Sequence, residues 1–128
     1  MSDIKYRVWN NLLKNYLPGD SVCILPNGDI VLYNIAAMIA AYKRPSDMLE
    51  GENIVERWTG LKDKNGVGIY EGDILIDDTG EPIEYWVVKF SEGGFIGECA
   101  GVAEPLFELT NLEVVGNIHK NPELLEEK

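Results

Sequence analysis

From Ile54 to Ile118, short apolar runs are repeatedly cut by turn signals. The runs are Ile54–Thr59, Ile69-Tyr70, Ile74–Ile76, Tyr85–Phe90, Phe95–Cys99 and Leu112–Ile118. Between them lie Asp78-Thr79-Gly80, Glu92-Gly93-Gly94, Gly101 and Asn111. Runs this short and this rich in β-branched and aromatic residues read as strands, and the turns force them to reverse. The spacing predicts a mainly β (α+β) chain, built as a small bent sheet or SH3-like partly closed barrel with short helices.

The first part of the chain reads differently. Ile4–Trp9 alternates, with Ile4, Tyr6 and Val8 facing one way, which predicts a half-buried strand. Asn10–Leu17 places Leu12, Leu13, Tyr16 and Leu17 at helical spacing before Pro18-Gly19, which predicts a helix there. Ser21–Leu25 and Ile30–Tyr33 flank Pro26-Asn27-Gly28-Asp29, a hairpin signal. Asn34 can cap an Ala-rich helix near 34–43. In it Ile35, Met38, Ile39 and Tyr42 share one face, and Ala36, Ala37, Ala40 and Ala41 the other. A helix apolar all round is buried on more than one side, either in a core or between subunits. Residues 46–53 are polar and connect to the β-rich part. At the other end, Asn121-Pro122 predicts a short capped helix.

A length of 128 residues favours one domain. We divide it into an N-terminal strand, hairpin and helix portion (1–53), a β-rich portion (54–119) and a helical tail (120–128).

The segment Thr59–Leu75, TGLKDKNGVGIYEGDIL, raises the question of a phosphate loop. A phosphate loop needs glycines at set intervals, because backbone N–H groups must converge on one oxyanion cluster. Gly60 and Gly66 do not have the P-loop interval, and Val67-Gly68 stand where Lys-Ser/Thr is required. Gly66, Gly68 and Gly72 miss the dinucleotide spacing, and a strand follows where that motif opens a helix. Asp63-Lys64-Asn65-Gly66 instead offers a side-chain acceptor, a positive-φ pair and a polar tip. Glu71-Gly72-Asp73 gives a second reversal. The segment reads as two turns.

Charge excludes one function class. Residues 1–70 carry eight acidic and eight basic side chains, and residues 71–128 fourteen acidic against three basic, so the net charge of −11 resides in the second half. Sequence-independent affinity for nucleic acid comes from Lys and Arg replacing phosphate counterions, and this half repels phosphate. Direct nucleic-acid binding is disfavoured. Ile35–Tyr42, the longest apolar run, is too short to cross a bilayer as a helix, and the amino terminus lacks a signal-peptide stretch. Cys23 and Cys99 lie far apart in apolar strands and read as reduced, inert thiols. The expected location is the cytoplasm, with no membrane partner.

Candidate chemistry centres on the acidic residues Asp73, Asp77, Asp78, Glu81 and Glu84. An extended Asp73–Asp77 separates its two ends by ~13 Å, too far to share one ion. Asp78-Thr79-Gly80-Glu81 lacks the alternating ligands of a calcium loop. His119 has no nucleophile motif around it and reads as a surface or capping residue. Trp9, Trp58 and Trp86 could stack on bases, but three scattered indoles in a small β-domain read as packing. No catalytic residue, cofactor or metal ligand is assigned. The candidate interaction surface comprises Ile35, Met38, Ile39, Tyr42, Asp77, Asp78 and Glu81.

The stretch WTGLKDKNGVGIYEGDIL (Trp58–Leu75) resembles the hallmark segment of the YopX-like family of phage and prophage proteins. IKYRVWN near the start, YWVVKF, and EVVGNIHKNPELLEE at the end agree with it in order. The resemblance implies one YopX-like domain, mostly β, encoded by a mobile genome and acting inside a bacterial host. It transfers no catalytic residues. The expectation is a non-enzymatic accessory protein that works through protein contact, self-associates and contacts a host or phage protein. The alternatives are a small metal-dependent hydrolase using the acidic loop residues, and an acidic nucleic-acid mimic that occupies a host protein.

Overall fold

The structure is a computed structural model and describes residues 6–17, 22–24, 26, 30–32 and 53–126. The fold is mainly β, with antiparallel sheets, one of them a curled half-barrel. No α-helix occurs among the described residues, and the Ala-rich helix expected near 34–43 lies outside them. The chain divides into two compact units, one from Tyr6 to Glu56 and one from Arg57 onward.

In the first unit, β1 (Tyr6–Asn10) pairs with β2 (Asn15–Tyr16), with Trp9 opposite Tyr16 and Asn10 opposite Asn15. The helix expected over Asn10–Leu17 is therefore replaced by a tight hairpin. Asn10 is the physical reason. Its side-chain oxygen accepts the Leu13 N–H at 2.9 Å, a local bond that competes with a helical turn. Lys14 then takes a positive φ of 54°, which turns the chain back. Asn10 is fully buried, and its amide donates to Asn53 Oδ1 at 2.7 Å. The alternation expected in β1 gives way at its end, where Val8, Trp9 and Asn10 are all buried, because Tyr16 packs edge-on against Trp9 with ring centroids 5.1 Å apart. Glu56 closes this unit. It is buried, and its Oε1 accepts bonds from Arg7 Nε and the Tyr16 hydroxyl, both 2.8 Å. The expected hairpin is present as β3 (Val22–Ile24) against β4 (Ile30–Leu32).

In the second unit, the later residues of β5 (Asn53–Lys62) pair with β6 (Gly68–Tyr70). The strands β7 (Asp73–Asp77), β8 (Glu84–Ser91), β9 (Gly94–Cys99), β10 (Val102–Pro105) and β11 (Glu113–Asn117) form one antiparallel sheet in the order β10-β9-β8-β7-β11. Two-residue turns with positive φ, Glu92-Gly93 and Ala100-Gly101, join β8 to β9 and β9 to β10. That geometry matches the right-handed twist of the strands it connects. The core gathers Ile69, Leu75, Trp86, Val88, Leu106, Leu109 and Leu112. Trp86 and Val88 enter it from alternate positions of β8, as the pleat requires. Ile74 and Leu75 are both fully buried, so β7 is covered on both faces.

A 3₁₀ turn at Leu106–Glu108 drops Leu106 into this core. It sits close above Gly97, where a Cβ would strike the Leu109 side chain. A second 3₁₀ turn, Pro122–Leu125, stands where the capped tail helix was expected. Pro122 opens it as predicted, but Asn121 does not cap it; its Oδ1 accepts the Asn117 N–H at 3.1 Å instead.

Candidate functional site

The Thr59–Leu75 segment is organised around one buried side chain, Asp63. Its Oδ1 accepts N–H groups from Asn65 at 2.8 Å and Val67 at 2.9 Å, and its Oδ2 accepts that of Val114 at 2.9 Å. Gly66 N–H goes to the Asp63 carbonyl, and Lys64 N–H to the Leu112 carbonyl. Thus the loop does gather amides around an anion, but the anion is its own carboxylate. Burial alone would raise the Asp63 pKa; the three backbone N–H groups, helped by the Lys64 charge, outweigh it and hold the pKa below the usual aspartate value. Of the pair expected at positive φ, only Gly66 takes it, at 82°.

The second reversal works the same way. Asp73 is buried, and its Oδ2 accepts the Tyr70 N–H at 2.8 Å. Gly72 bonds through its N–H to Val88 and through its carbonyl to Ile118, tying the turn to both neighbours. Glu71 turns outward to Arg57. The guanidinium donates Nε to Oε1 at 2.7 Å and Nη2 to Oε2 at 3.3 Å, and lies 4.0 Å from the Phe90 ring centroid. Burial would raise the Glu71 pKa, but the hydrogen bond and charge of Arg57 bring it below the usual range.

The remaining acidic candidates do not converge. Asp77 is half-buried at the end of β7, and its carboxylate binds the Thr79 hydroxyl and N–H, which lowers its pKa. Asp78 and Glu81 are exposed in the loop beyond it. No group of three or more metal-ligating side chains comes together among the described residues. Ile35, Met38, Ile39 and Tyr42, the other half of the expected surface, lie outside the described residues. The Trp86 ring is buried in the core, and its Nε1 has no partner among the described residues. Cys99 is half-buried, and burial followed by the Glu84 charge pushes its thiol up. The Cys23 side chain lies outside the described set. Asn117 Oδ1 accepts the backbone N–H groups of His119 and Lys120, so His119 lies within a turn anchored by that side chain.

What the sequence did not reveal is a groove of about 510 Å³ in the second unit. Its walls are Thr59 and Leu61 of β5, Gly94–Ile96 of β9, Ala103–Pro105 of β10, and Leu106-Phe107 of the 3₁₀ turn. Phe107 is 67% exposed, the largest exposure among the large apolar side chains described. Glu104 is half-buried there, and its carboxylate has no hydrogen bond or ion pair among the described residues. Pro105-Leu106-Phe107 was the available signal. An apolar pair after a proline does not announce which member stays outside.

The profile of the YopX protein family matches residues 5–126. The chain belongs to the YopX family. Its fold is similar to the crystal structure of a protein from Enterococcus faecalis, EF1440, at 25% identity and a TM-score of 0.63, covering 98% of this chain and 100% of that one. Among curated proteins, none matches the chain. In this YopX protein, the residues that carried the resemblance are accounted for by the turns they build: Asp63 by its three amides, Gly72 by its two ladder bonds, Asp73 by its cap on Tyr70, and Asn121 by its bond to Asn117. No helix of the described residues is long and apolar enough to cross a membrane.

Proposed function

We propose that this YopX protein is a phage- or prophage-encoded accessory protein of the bacterial cytoplasm that acts through contact with other proteins, itself included, without catalysing a reaction. We further propose that its second unit is an SH3-like partly closed barrel with a role in those contacts. The observation that carries the reading is the groove. It joins an exposed aromatic, an apolar floor and a carboxylate with no hydrogen bond or ion pair among the described residues. Meanwhile the two aspartates of the hallmark segment, Asp63 and Asp73, already accept backbone N–H groups. The metal-dependent alternative is less well supported, since Asp73 and Asp77 each hold a turn.

For the five-stranded sheet, long strand pairing is a poor route to self-association. One sheet edge, β10, is four residues long and ends in Pro105, which has no N–H. At the other edge, the Asp63 loop takes Val114 N–H and the Leu112 carbonyl. Contact through exposed side chains remains. A photoreactive residue placed at Phe107 of the full chain, in bacterial cells, is expected to give a discrete protein adduct absent when it is placed at the exposed Ile83. Uncrosslinked chain from both positions would overturn the reading.

A further inference from the structure

The groove has features that select among occupants. Its lining is mostly apolar, with Leu61, Phe95, Ile96 and Leu106 beside the exposed Phe107. A half-buried carboxylate among such side chains is poorly solvated and gains from a cation brought to it. Glu104 is that carboxylate. Two cations on the surrounding strands are already paired: Lys89 with Glu98 at 2.9 Å, and Arg57, 5.7 Å from the Phe95 ring centroid, with Glu71 at 2.7 Å.

The backbone adds a second constraint. The Ala100-Gly101 turn makes Cys99 and Val102 the hydrogen-bonded pair that closes the hairpin. The next pair, Ala103 and Glu98, is then non-hydrogen-bonded, so the N–H and carbonyl of Ala103 point away from β9. Because β10 is the edge strand, these two groups face outward beside the groove. Pro105 offers no donor, so the edge accepts one exchanged pair of hydrogen bonds and no long ladder. A small apolar molecule would fill the slot without meeting the edge or the charge. An extended backbone meets all three.

We propose that this groove docks an extended peptide segment of a partner protein, with one bulky apolar side chain against Phe95 and Phe107 and a Lys or Arg at Glu104. The inference rests on the protein-contact reading above and names the chemistry of the partner. The segment would add to β10 through Ala103, the mode by which extended peptides join sheet edges.

The test uses a random peptide library displayed on phage, selected on the full chain, with the consensus peptide then synthesised and titrated. The expected consensus couples a bulky apolar residue to a neighbouring Lys or Arg. Its affinity is expected to fall about tenfold for Glu104→Gln and for Phe107→Ala, and to stay unchanged for Ile83→Ser. All three positions are at least partly exposed, so the variants are expected to melt with the wild type, which a thermal scan checks. A library that yields no consensus, a consensus without a basic residue, or binding that survives Glu104→Gln and Phe107→Ala would each overturn the proposal. A failed selection with a positive crosslink from position 107 would remove the peptide and leave the protein-contact reading standing.

Discussion

At Asp63, one carboxylate accepts N–H groups from Asn65, Val67 and Val114, residues drawn from the loop and from a strand far along the chain. Asparagine at this position would keep the shape but set an NH₂ against one of those donors. Asp63→Asn is predicted to cost about 2–3 kcal/mol in urea unfolding; an unchanged midpoint would contradict the role given to Asp63. The pH dependence follows from the same bonds. A carboxylate whose folded pKa is depressed contributes stability that is present above the unfolded value, about 3.9 for aspartate, and lost as pH falls through the folded value. Wild-type stability should therefore decline as pH drops below about 4, and the decline should be shallower in Asp63→Asn. At Arg57 the bidentate bond to Glu71 and the stack on Phe90 both need a planar guanidinium. Its side chain is 48% exposed, so Arg57→Lys should cost only about 0.5–1 kcal/mol. Most of that loss should persist in high salt, because stacking is screened less than a surface ion pair.

Among the elements, the strands of the second unit were legible because their runs alternate or stay apolar between strong turn residues. The Glu92-Gly93 turn and β7–β9 fall where the runs predicted. Two elements were misread for identifiable reasons. The leucine spacing after Asn10 suggested a helix, but spacing says nothing of an asparagine whose oxygen takes the Leu13 N–H. Strand β10 was missed because Val102-Ala103-Glu104-Pro105 contains a proline, which is tolerated here at the end of an edge strand. Gly97 was equally silent: nothing local marks a glycine chosen for the close approach of a side chain twelve positions on. Gly97→Ala is predicted to cost roughly 1–3 kcal/mol through overlap with Leu109. Denaturation of Gly97→Ala, Leu109→Ala and the double variant should give a combined loss smaller than the sum. Strict additivity would place the cost elsewhere.

For the whole molecule, charge was readable from composition, and the groove was not, because it forms only where Thr59 and Leu61 of β5 meet the distant stretch that runs from β9 through β10 to the 3₁₀ turn. A net charge of −11 sets copies of the chain against each other at low ionic strength. Self-association through apolar side chains should consequently strengthen with salt, and sedimentation equilibrium should show a rising apparent mass. A strict monomer at both low and high salt would remove self-association from the proposed function. The hallmark loop encloses its own anion, the Asp63 carboxylate, and so leaves its amides no role in holding a phosphate. The most direct test is to follow the backbone amide resonances of Asn65, Gly66 and Val67 while titrating inorganic phosphate and then ATP. No saturable shift is expected at those three amides; a saturable shift there with either ligand would show that the loop binds phosphate after all.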